Sequence, residues 1–153
     1  MMKYQVLGMP LGSVFAAGML MLGACAPQDL EPPHTKARFS SYPRDLLGAF
    51  ESACTGPANL YSEPADGVAE CREYLPPDPT AALILQYDGT PEDLPQMVIQ
   101  LRTRADTPGF LVEHDVYLNV PQKTGADIQI REYDTELHRT LEQVFIRAGG
   151  VPE

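Results

Sequence analysis

Three ionisable side chains stand in a row at Glu113-His114-Asp115, a carboxylate–imidazole–carboxylate run of the kind used in general acid–base chemistry. Its setting argues against that use. On an extended strand Glu113 and Asp115 share one face while His114 points to the other, so the three cannot converge unaided. His114 falls in phase with Phe110, Val112 and Val116, which reads as a hydrogen-bonded core or edge histidine. The acidic stretch Asp88-Gly89-Thr90-Pro91-Glu92-Asp93 lacks the alternating oxygen ligands and terminal Glu spacing of a calcium loop and reads as a hairpin loop. His34, His114 and His138 have no zinc-type spacing, and there is neither a Gly-rich phosphate loop nor a Gly-x-Ser-x-Gly elbow. Serines 40, 41, 52 and 62 sit in no recognisable nucleophile context. His138 and Glu142, four apart on a helix, read as a surface pair. The expectation is no catalytic residue, no metal site and no cofactor. What remains is a surface. Arg102, Arg104, Tyr117 and Arg131 fall on one polar strand face, and Arg and Tyr are the residue types enriched where proteins grip partners.

These residues need a scaffold, and the pattern supplies one. Leu46, Leu47, Phe50, Ala53 and Cys54 form a single apolar stripe at helical spacing. Ser41 is placed to cap that helix, Pro43 fits its first turn, and Gly56-Pro57 stops it. Residues 57–67 read as loop. From Val68 the period changes to two, predicting strands over 68–75, 80–87, 96–104, 110–120 and 126–132, separated by Pro- and Gly-bearing turns. A last helix follows, capped by Asp134, with Leu137, Leu141, Val144, Phe145 and Ala148 as its buried stripe and Gly149-Gly150 as its end. The predicted fold is α+β and two-layered: a helix, an antiparallel meander of about five strands, and a helix, with both helices on one sheet face. Met97, Ile99, Leu101, Phe110, Val112, Val116, Leu118, Val120, Ile128 and Ile130 make up the apolar face, with charged and amide side chains opposite.

The chain of 153 residues has room for one modest domain. At 44% hydrophobic and 21% charged it is too apolar to be wholly disordered. Its 11 Lys and Arg against 21 Asp and Glu give a net charge of −10, which argues against nucleic acid and against electrostatic docking on anionic lipid. The N-terminus has another composition. No charge occurs between Lys3 and Asp29, and residues 6–24 read VLGMPLGSVFAAGMLMLGA. A permanent span is argued against by Pro10 and glycines 8, 12, 18 and 23; a core helix, by the lack of any polar face. A short basic n-region followed by the apolar core 14–22 fits a cleaved signal peptide.

Leu22-Gly23-Ala24-Cys25 at the end of that core resembles the lipobox of bacterial lipoproteins: an aliphatic residue, two small residues, then cysteine. The resemblance implies removal of residues 1–24 and acylation of Cys25, the thiol taking a diacylglycerol through a thioether and the new N-terminus a further acyl chain such as palmitate. More than one chain is what stable anchoring requires. Ala26, where Asp tends to retain such proteins at the inner membrane, favours the outer membrane, with the domain facing the periplasm. The resemblance implies the membrane as a partner, through the N-terminal lipid. Together with the acidic domain and the lack of an assembled catalytic constellation, it favours a domain that binds an envelope protein. The alternative is a small-ligand or lipid-binding module with a pocket between helices and sheet. With Cys25 given to lipid, Cys54 and Cys71 are left in an oxidising compartment and are expected to form a disulfide. Residues 25–38, polar with three prolines, read as a tether, and 39–150 as the single domain.

Overall fold

The computed structural model describes residues 35–131 and 134–153. The signal segment, Cys25 and the tether as far as residue 34 lie outside the described residues. Ten elements follow in order: β1 (Lys36–Phe39), α1 (Arg44–Ala53), β2 (Asn59–Ala65), β3 (Val68–Tyr74), α2 (Pro77–Gln86), β4 (Gln96–Ala105), β5 (Phe110–Val120), β6 (Ile128–Ile130), α3 (Thr135–Arg147) and β7 (Val151–Pro152). The class is α+β, with an open seven-stranded antiparallel sheet in the order β2-β3-β4-β5-β1-β7. β6 pairs with β5 as well, off this path. None of the described helices is long and apolar enough to cross a membrane.

The strands expected at 68–75, 96–104 and 110–120 form with small shifts at their ends, and the one expected at 126–132 contracts to β6. Four expectations are corrected. The segment 80–87 is not a strand but most of α2. Its Ala, Leu and Gln are strong helix formers, and Pro77 sits where a helix has no partner for a missing N–H. The expected loop 57–67 contains β2, an edge strand that tolerates Pro64 because its outer side needs no donors. The register shifts between Ser62 and Ala65, around that proline. β1 reaches back into the segment expected to be tether: Ala37 and Phe39 point inward, and the strand fits between β5 and β7, so the sheet is not a simple meander. Ser41 does not cap α1. Pro43 holds the N-cap position, and no side chain caps it.

The expected apolar face forms, except that Ile128 at its β6 edge is exposed. Register sets Leu101 opposite Ala69 on β3 and His114 on β5, and Val112 opposite Ala37 on β1. Onto these residues pack Leu46 from α1 and Phe145 from α3, completing the core with Phe39. Phe39 meets Phe145 edge-on, 6.4 Å between centroids. Two tight turns hold the strands. Gly67 (φ +72°) accepts the Thr103 N–H at 2.6 Å, and a Cβ there would collide with the Thr103 carbonyl. At Gly109 (φ +96°) a Cβ would likewise collide with the Phe39 carbonyl.

The second face is less wet than the alternation suggests. Val98 and Tyr117 are buried there, and so are Glu70, Gln96, Gln100 and Asn119. Long side chains account for part of this: the Arg131 guanidinium lies 5.0 Å above the Tyr117 ring. A chain of hydrogen bonds runs from Gln96 through Arg72, Glu70 and Gln100 to Arg102, satisfying the buried Glu70 carboxylate from both sides.

Candidate functional site

Two concavities compete, and the histidines define the first. His114 Nε2 lies 2.8 Å from His138 Nδ1, both rings are buried, and Phe145 packs on His114 at 5.5 Å. His138 is therefore no surface partner of Glu142. It falls on the same helical stripe as Leu141, Phe145 and Ala148, and its polar side chain concealed this in the sequence. One imidazole donates and the other accepts. His114 Nδ1 is buried without a hydrogen-bond partner. An orphaned lone pair costs less than an orphaned N–H, so the favoured tautomer carries the His114 proton on Nε2 and donates it to His138. Burial, reinforced by the neighbouring His138, pushes the His114 pKa down to about 4. His114 is thereby uncharged at neutral pH, and its contact with His138 latches β5 to α3.

β1 pairs with β5 only as far as Glu113, and β6 only from Leu118, leaving a notch along one side of β5. This cavity of about 420 Å³ is lined by Thr35, Arg102, Val116, Arg131, Glu113, Asp115 and the two histidines. Its charges are largely consumed by one another. Arg131 holds Asp115 through two hydrogen bonds, at 3.0 and 2.7 Å, which keeps that carboxyl below the usual carboxylate range. Lys36 pairs with Glu113 at 3.3 Å. Glu113 and Asp115 stand on the face opposite His114, as alternation requires, so the triplet does not assemble. Among the described residues, no cluster of three or more His, Cys, Asp or Glu has metal-holding geometry.

Of the four expected interaction residues, Arg102 and Arg104 are exposed on β4, and Arg131 is exposed while engaged with Asp115 and Tyr117. Tyr117 lies beneath it, 6% accessible. They share a face, but Tyr117 is not presented. Cys54 and Cys71 form the expected disulfide, with Cα atoms 5.8 Å apart, tying the C-terminal end of α1 to β3.

That disulfide borders the second concavity, a groove of about 370 Å³. α1 contributes Leu46, Ala49, Phe50 and Ala53 to one wall; α3 contributes Leu141, Val144 and Phe145 to the other; Ile99 and Leu101 of β4 make the floor. At one end Asn59 and Glu73, directly paired across β2 and β3, add the polar groups. The groove lies between the two helices: Leu46 of α1 and Phe145 of α3 reach the core, while apolar side chains such as Ala49 and Val144 along the facing walls stay uncovered. Val144, on the rim, is 38% accessible. A mostly apolar cleft of this volume with a few polar groups is the usual form of a small-molecule site.

No family model, curated protein or solved structure matches this chain. The site has to be read from its own geometry. On that basis the notch offers paired charges and a buried histidine latch, while the groove offers unpartnered apolar surface. Its lining was visible in the sequence as two amphipathic stripes and an apolar strand face. The gap between the stripes depends on where the helices land and is not encoded in periodicity.

Proposed function

We propose that this chain is a lipid-anchored protein of the bacterial cell envelope whose α+β domain works by binding, with the groove between α1 and α3 taking an apolar ligand. The anchor rests on the lipobox-like Leu22-Gly23-Ala24-Cys25 behind its apolar core. Binding rests on one observation: α1 and α3 leave an apolar groove of about 370 Å³ against one sheet face. A solid helix–sheet interface would have left nothing for a ligand to occupy. Outer-membrane attachment facing the periplasm, favoured by Ala26, would put the groove within reach of envelope lipids. A protein partner engaging Arg102 and Arg104 is the second reading, supported by the exposure of both side chains on the polar face.

The test is photolabelling in envelope membranes carrying the full-length chain, with an uncharged acyl probe bearing a diazirine in its tail. Adducts should map to peptides containing α1, β4 and α3. Ala49→Trp, which places a large ring on the exposed wall of the groove, should remove most of them while leaving the Cys54–Cys71 disulfide intact. Labelling indifferent to Ala49→Trp contradicts the reading.

A further inference from the structure

We propose that the groove selects a single acyl chain carrying an uncharged or cationic head group, and rejects lipids headed by a carboxylate or phosphate. This deepens the binding reading above and rests on it. The inner end of the groove is closed by Leu46, Leu101 and Phe145, all nearly inaccessible and all apolar, so only a hydrocarbon tail can face them. The other end differs. There Asn59 stands beside Glu73, and Glu73 is the one charged side chain of the described lining. The Asn59 amide spends one donor on the Thr55 carbonyl, at 3.1 Å, and keeps further hydrogen-bonding capacity for a head group. A hydroxyl, amide or ammonium placed here can donate to the Glu73 carboxylate. An anionic head meets like charge at short range and the field of a chain with net charge −10 at longer range.

Volume narrows the ligand further. About 370 Å³ lies near the lower limit of ligand sites, suiting one chain rather than the pair of a diacyl phospholipid. The cleft is also pre-formed. The Cys54–Cys71 disulfide fixes the end of α1 on β3, so the α1 wall is held away from the α3 wall without a ligand between them.

The experiment uses envelope membranes carrying the full-length chain and three diazirine probes with identical tails: a monoacylglycerol, a primary alkylamine and a fatty acid. Labelling at about pH 9 keeps the fatty-acid head ionised and the amine mostly charged. Adducts on groove peptides are counted after subtracting the Ala49→Trp background. In the wild type the monoacylglycerol and the amine should label about tenfold more than the fatty acid, a difference of about 1.4 kcal/mol. Glu73→Gln should bring the fatty acid up to the monoacylglycerol, and Glu73→Lys should place it above the amine. Equal labelling by all three probes in the wild type, or the same ranking in Glu73→Lys, overturns the proposal while leaving apolar binding in place. Absence of Ala49→Trp-sensitive labelling by every probe, in the wild type and in Cys25→Ser alike, overturns both. Labelling seen in Cys25→Ser but not in the wild type identifies the chain's own acyl group as the occupant and overturns the proposal for a free ligand.

Discussion

At the scale of single residues, His114 carries the sharpest consequence of burial. Its folded pKa of about 4 lies below the ordinary 6.5, so between those values the unfolded chain holds a proton that the folded chain does not. Unfolding then takes up a proton. Stability should be level above about pH 6.5 and fall as the pH drops toward 4, by up to roughly 3 kcal/mol from this group. His114→Leu should flatten that part of the profile. The difference between urea midpoints at about pH 7.5 and pH 4.5, wild type against variant, reads it directly, because the carboxylates common to both cancel. The sequence placed His114 on the apolar face and excluded its convergence with Glu113 and Asp115. It did not reveal His138 as the partner, because strand and helix periodicity say which face a residue occupies but not which residues meet across two layers.

Elements show where local pattern is enough and where it is not. The cap and bounds of α3 are legible: Asp134 accepts the Glu136 and Leu137 N–H groups at 2.9 and 3.1 Å, and the stripe begins immediately after. That stripe nevertheless buries His138 and leaves Val144, expected to be buried, exposed. Asp134→Ala should lower stability by about 1 kcal/mol, measured by denaturant titration, since two orphan donors lose their acceptor. By contrast the sequence of α2 reads equally as a strand, because a short apolar run such as Ala81 to Leu85 fits either period and its flanking prolines suit a helix start as well as a turn. β1 and β7, with four and two residues, carry too little pattern to be read from the sequence. Each is identified only by the neighbour it pairs with. The disulfide belongs at this scale too, joining α1 to β3. Replacing Cys54 and Cys71 together by Ser should cost roughly 3 kcal/mol by the loop-closure argument. It should also weaken labelling of the groove by acyl probes, because the α1 wall is no longer pinned. A loss of stability with labelling unchanged would mean that the disulfide staples the domain without shaping the cleft.

For the whole molecule, the acidic balance, the lipobox-like N-terminus and the apolar groove point to one arrangement. Attachment by charge is disfavoured at −10, so under the proposed function the membrane would be reached through covalent lipid on Cys25. The intact mass of the membrane-extracted protein should correspond to a chain starting at an acylated Cys25, and Cys25→Ser should mislocalise it. Fold class, the apolar face and the ends of the long strands were readable from alternation and stripes. The groove was not, since it is what the helices leave uncovered rather than a property of any one segment. Binding in that groove is the central claim, and methyl nuclear Overhauser contacts test it most directly. With the full-length chain in lipid nanodiscs and an uncharged single-chain acyl probe added, cross-peaks should appear from the probe tail to the methyls of Ile99, Leu141 and Val144. None should appear to Leu60 and Val151, which are exposed elsewhere. Contacts spread equally over Leu60 and Val151, or absent from Ile99 and Leu141, would contradict it.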